Sequence, residues 1–235
     1  MKQLFTILSL GCFCATASAA TDRVLDFSRS VTGLDEVRVE VNVGSLEVVA
    51  WDRDFVEAEI ELELDDDSWG RSKRERSEEA IDRAELKADV RGNRLHMEVD
   101  FKVENDIDVE EHWVVKMPAG MSLTSELNVG EASIEGVGGG VDAEVNVGEL
   151  SIDVPAGEIH AEVNVGEINI TSATDSVGDV SLDANVGDAD LRVHGESVRD
   201  TSSTFSPGSE IRYRGSGKDD IVVDVNVGDV DVRIN

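Results

Sequence analysis

Carboxylates recur in this chain at fixed places. Glu126, Glu144, Glu162, Asp183 and Asp224 each stand two residues before an asparagine, and Glu131, Glu149, Glu167, Asp188 and Asp229 each follow a glycine. Acids in rows suggest cation chemistry, because Ca²⁺ takes several carboxylate oxygens at once. If the rows come from stacked strands ~4.8 Å apart, neighbouring charges repel by about 0.9 kcal/mol even at the dielectric constant of water. Two readings follow. One is a solvated acidic face relieved by salt, with the side chains splayed. The other is a weak, multi-site Ca²⁺ ladder at Glu126, Glu144, Glu162, Asp183, Glu131, Glu149, Glu167 and Asp188. The nine-residue glycine spacing is similar to the calcium-binding nonapeptide. The match is incomplete, because the second and fourth places of GELSIDVPA and GEIHAEVNV are not glycine.

Other chemistry is thinly represented. His96, His112, His160 and His194 are isolated from any nucleophile pattern, and Asp142 and His160 occupy equivalent places in successive repeats, which makes a column and not a triad. No catalytic residue and no cofactor are assigned, weak Ca²⁺ aside. The basic run at 71–76 could grip an anionic glycan, but it reads first as helix surface paired with nearby acids. Trp51 and Trp113 lie in strand patterns and belong to the core. Trp69, in an acidic loop, is the candidate for stacking on a sugar.

The elements that position these residues follow from a repeat. Asn128, Asn146 and Asn164 are 18 residues apart, each inside Asn-Val-Gly, and the triplet also occurs at Asn42, Asn185 and Asn226. Gly130, Gly139, Gly148, Gly157 and Gly166 keep a spacing of nine. Between glycines, apolar residues alternate with polar ones, the period of a half-buried strand. Val147 and Leu150 both read as inward although they are three apart, so Gly148 and Glu149 must absorb a corner. Stacked corners imply a right-handed β-solenoid or β-helix-like region of about 18 residues per coil. Val129, Val147, Val165, Val186 and Val227 are expected as an inner column, and the asparagines as a hydrogen-bonded ladder.

The first half carries longer alternating strands at 37–43, 46–49, 56–64, 95–103 and 112–117. A charged, partly helical stretch lies at 71–88, with Ser77 a candidate cap. This half reads as an N-terminal β-sheet unit capping the solenoid, since bare ends would expose unpaired edges. Residues 195–220 break the rhythm and read as a wider coil or a flap. The expected organisation is a leader at 1–20, a sheet unit at 21–120 and a repeat region at 121–235. The leader reads as a secretory signal peptide: Lys2, a short apolar run, then Ala-Ser-Ala. Gly11-Cys12 gives an imperfect lipobox. Both cysteines, Cys12 and Cys14, lie within it, so no disulfide or thiolate site is expected beyond it.

Charge narrows the partners. With 51 acidic residues against 21 Lys and Arg, the formal net charge is −30. Nucleic acids and anionic membrane surfaces require a positive footprint and are disfavoured. No later segment is apolar enough to span a bilayer as a helix.

GSLEVVAWDRDFVEAEIELE, VVKMPAG, the GEINI and GDADLRV repeats and the closing YRGSGKDDIVVDVNVGDVDVRI resemble a bacterial family of adhesin-like proteins of unknown function with β-strand repeats. The resemblance covers about residue 24 to the end. It implies an all-β, β-helix-like fold and an envelope or surface location, with no known reaction and no active-site motif. The reading is therefore a non-catalytic, exported envelope or surface binding protein, with an unknown envelope protein or glycan as partner. The alternatives are a periplasmic structural or envelope-stress-related protein without external ligand, or a glycan-active β-helix enzyme.

Overall fold

The computed structural model describes residues 22–65, 71–103, 107–199 and 207–235. The expected leader and Trp69 lie outside them. Alternation of apolar and polar residues yields β1 (Arg23–Ser30), β2 (Glu36–Trp51) and β3 (Phe55–Leu64), then α1 (Arg71–Arg83). There follow β4 (Glu85–Arg91), β5 (Arg94–Asp100), β6 (Val109–Pro118), β7 (Ser122–Glu135), β8 (Val141–Val154) and β9 (Ile159–Ser172). The last strands are β10 (Val177–Val186), β11 (Ala189–Val193), β12 (Glu196–Val198), β13 (Ser209–Arg214) and β14 (Asp219–Ile234). The protein is all-β: these strands make one large sheet in the order β1-β3-β6-β2-β7-β8-β9-β14-β10-β13. The β4–β5 hairpin joins the first half of β2, and β11 with β12 joins the second half of β14.

Five long strands, β2, β7, β8, β9 and β14, run parallel and in register, so that Gly44, Gly130, Gly148, Gly166 and Gly228 form one row. Each strand is creased at its glycine. In β8, Val141, Ala143 and Val145 are buried before the glycine and Leu150, Ile152 and Val154 after it. Both sets belong to a single core, so the sheet folds along the glycine row and its two halves share one interior. Each fully buried Val, Leu or Ile is worth about 1.5–3 kcal/mol, and the rows repeat that gain from strand to strand. The intervening glycines Gly139 and Gly157 fall in the turns that carry one strand to the next, which accounts for the nine-residue spacing.

Several expectations change. Val147 does stack on Val165 in register, but the valine row faces solvent: Val129, Val147, Val165, Val186 and Val227 are 44–47% exposed. The reason is that the parity reset takes four residues, 146–149, so inward places run from Val145 to Leu150. The chain order of the rows is also broken. β14 inserts between β9 and β10, pairing in parallel with both, so Asp224 stands between Glu162 and Asp183. Repeat rows begin at β2, before residue 121, and the sheet is continuous across residue 120. Ser77 is no cap: it lies inside α1, its hydroxyl donating to Lys73 O and accepting from Asp108 N–H. The described part of the 195–220 stretch extends the sheet, with β12 antiparallel to β11 and β13 antiparallel to β10. Among the described residues, no helix is long and apolar enough to cross a membrane.

Candidate functional site

The crease carries regular rows of polar side chains. Its first row is a one-way ladder of side-chain amides. Asn185 Nδ2 donates to Asn226 Oδ1 (2.8 Å), Asn226 to Asn164 (2.6 Å), Asn164 to Asn146 (2.7 Å), Asn146 to Asn128 (2.8 Å) and Asn128 to Asn42 (3.3 Å). Asn42 ends the series on Glu111 Oε1, through its backbone N–H (3.2 Å) and Nδ2 (3.4 Å). Trp113 Nε1 donates to the other oxygen of Glu111 at 2.9 Å. Aligned amides polarise one another, and a carboxylate is the natural terminal acceptor for such a chain. Glu111 is 1% exposed. Burial pushes its carboxyl above the usual glutamate range, while the hydrogen bonds from Trp113 and Asn42 oppose that rise.

Two acid rows flank the amides. In spatial order the first is Glu40, Glu126, Glu144, Glu162, Asp224 and Asp183. Basic partners stand at its two ends. Arg38 bridges Glu40 and Glu126, and its hydrogen bond holds the Glu40 carboxyl below the usual range. Arg212 pairs with Asp183 at 2.9 Å. The second row is Glu131, Glu149, Glu167 and Asp229 in register, continued by Asp188, whose N–H donates to Asp229 Oδ1 at 2.9 Å. Between amides and second acid row runs the valine row, begun by Val43 at 38% exposure. The face thus repeats amide, isopropyl and carboxylate at strand spacing five times over, with Ser45 in the carboxylate place on β2.

The eight acids of the expected Ca²⁺ ladder are therefore brought into two rows. Among the described residues, no three row acids bring oxygens within 4.8 Å of one another; the trio that brings ligand atoms that close is Glu40, His96 and Glu98. Asp142 and His160 are register neighbours, a column as expected. Trp113 is core, at 1% exposure. Trp51 is half-buried, its Nε1 donating to Phe55 O at 2.8 Å and its ring lying 4.9 Å beneath the Arg53 guanidinium. Glu111 and the Glu40–His96–Glu98 trio were invisible as sites in the sequence. Their partners come from strands far apart in the chain, and only the parity of His96 within its strand hinted that it faces away from the apolar side.

The fold is similar to that of a putative cell adhesion protein from Clostridium sporogenes, with 13% identity and a TM-score of 0.58 over 91% of this chain and all of that one. Weaker likenesses, with TM-scores of 0.28 and 0.29, are found to a putative adhesin from Bacteroides fragilis (10% identity, covering 89% of this chain and 97% of that one) and to a putative lipid binding protein from Parabacteroides distasonis (11% identity, 92% and 98%). No protein-family model matches the chain, and no curated protein matches it in sequence.

Proposed function

We propose that this chain is a non-catalytic, exported envelope or surface binding protein that uses the creased face to hold an extended partner. The observation that carries this reading is the row of six exposed valines, Val43 to Val186, set between amides and carboxylates. A soluble surface seldom repeats a large apolar side chain in line unless something covers it. The fold shared with a protein named for cell adhesion supports the same reading. The partner is an envelope glycan or a neutral-to-basic envelope protein, since the acid rows repel anionic polymers. In this proposal the crease winds as a right-handed β-solenoid. The boundary near residue 120 is then a change in repeat regularity within one continuous sheet.

The test is binding of the purified chain to isolated envelope fractions and to neutral glycans, compared with the V147S/V165S/V227S variant. The variant should lose most binding while melting within a few degrees of the parent, because the replaced side chains are solvent-facing. Unchanged binding would sink the valine row as the contact. Protease shaving of intact cells that left the chain untouched would remove the surface location.

A further inference from the structure

We propose that Glu40, His96 and Glu98 form a divalent transition-metal site of the zinc class at one end of the first acid row. β2 and β5 run parallel, with Glu40 beside Glu98 and Arg38 beside His96. This places one imidazole nitrogen and two carboxylates on the same outer face, with ligand atoms all within 4.8 Å of one another. A loose acid cluster alone would mean little on so acidic a protein. The second observation is the imidazole. His96 is 9% exposed, and its Nε2 is buried without a hydrogen bond. Glu40 Oε1 lies 3.0 Å away, but out of line for an N–H donor. A buried ring nitrogen whose one carboxylate contact is poorly aligned is incompletely satisfied, and a cation bound there would complete its coordination.

The donor set selects the metal. Ca²⁺ and Mg²⁺ prefer all-oxygen shells. One imidazole with two carboxylates suits Zn²⁺ and its first-row neighbours. Three protein ligands leave a position open to water. Two side-chain cations share the carboxylates: Arg38 Nε contacts Glu40 Oε1 at 2.8 Å and Lys87 Nζ contacts Glu98 Oε1 at 3.2 Å. Both of these contacts are to Oε1, so in this proposal the metal shares or displaces them. A cleft of about 160 Å³ opens beside Glu40 and Glu98, lined also by Glu126 and Glu144. Its negative wall raises the local cation concentration.

The experiment uses the full purified chain, stripped with chelator and titrated with Zn²⁺ against a chromophoric competitor. Co²⁺ absorption and the ¹⁵N shift of the His96 ring provide independent readouts. One equivalent of Zn²⁺ should bind, the His96 Nε2 resonance should move, and Ca²⁺ in large excess should not displace the metal. H96Q and E98Q should each weaken binding by ~10-fold or more, while E149Q and H160Q, which change equivalent groups elsewhere, should not. E98Q keeps the buried histidine and so decides the matter if H96Q fails to fold. Zinc affinity unchanged in E98Q, equal loss in E149Q or H160Q, or no zinc bound above buffer would each overturn the proposal.

Discussion

The crease can be tested at a single atom. A methyl group on Gly148 would sit 1.7 Å from the carbonyl oxygen of Gly130 and 2.8 Å from its carbon. Ordinary contact begins near 3.4 Å, so the strands must part by about 1.5 Å or more. Ladder hydrogen bonds hold only between about 2.7 and 3.2 Å, and two or three of them beside the crease would open. Each costs about 1–3 kcal/mol when its groups stay buried. The backbone adds about 1–3 kcal/mol, because φ of 143° lies where only glycine is at ease. Gly148→Ala should therefore lose about 4–8 kcal/mol out of a total stability of about 5–15.

Gly92 supplies the control. It too has positive φ, 69°, but a methyl there meets nothing within 4 Å, so Gly92→Ala costs about 1 kcal/mol. At ~2–4 °C per kcal/mol for a chain of this size, the two variants should differ in melting temperature by about 6 °C or more, by circular dichroism or calorimetry. Failure of Gly148→Ala to fold while Gly92→Ala folds agrees with the same reasoning. Melting of both within a few degrees of each other would refute it, and with it the idea that glycine on glycine sets the crease.

Three further outcomes are expected. Asn146→Ala leaves Asn164 without its acceptor and Asn128 without its donor, and should cost about 1–3 kcal/mol; Asn185→Ala, at the ladder's end, removes one bond and should cost about half as much, both read from urea midpoints. Glu111 has a carboxyl raised on folding by burial, so the folded state binds its proton more tightly; the stability it contributes is present below the unfolded value and lost as pH rises through the folded one. The stability difference between the parent and Glu111→Gln should accordingly shrink as pH is raised above the ordinary glutamate range, and a difference independent of pH would contradict this. NaCl should raise the melting temperature by screening the acid rows, and CaCl₂ at matched ionic strength should add nothing further, since no three row acids converge among the described residues.

What the sequence made legible was local and periodic. Alternation in GELSIDV placed Leu150, Ile152 and Val154 in the core correctly, because strand parity depends on neighbours two residues away. The asparagine ladder was readable for the same reason: identical motifs at a fixed spacing must stack. Val147 departs from the inward place that parity gives it because parity alone does not fix how many residues a bend consumes; the fold uses four where alternation implies two. The insertion of β14 was hidden because Asn-Val-Gly is the same in every repeat, so sequence distance carries no information about which copy lies on which. Ser77 is not the cap its neighbours suggest, since α1 begins at Arg71 and the hydroxyl is spent on Lys73 O and the Asp108 N–H. His96 remained a lone histidine until β5 was laid beside β2.

The same glycine contact explains how β14 can enter the middle of the sheet without losing register. With carbonyl oxygens only 1.6–1.8 Å from where a Cβ would stand at Gly130, Gly148, Gly166, Gly187 and Gly228, any slip that set another residue in the row would drive a side chain into backbone. A slip of one residue would also invert every side chain across the sheet. Asparagine adds direction: each amide needs one acceptor before it and one donor behind, and another asparagine in the same place offers both. Gly228 and Asn226 meet these conditions against β9 on one side and β10 on the other. Register is thus fixed by the crease itself and not by the order in which the chain arrives. A strand bearing this motif fits between any two others, and the 21-residue step from Asn164 to Asn185 marks the place where the chain leaves a gap that its own C-terminal segment fills.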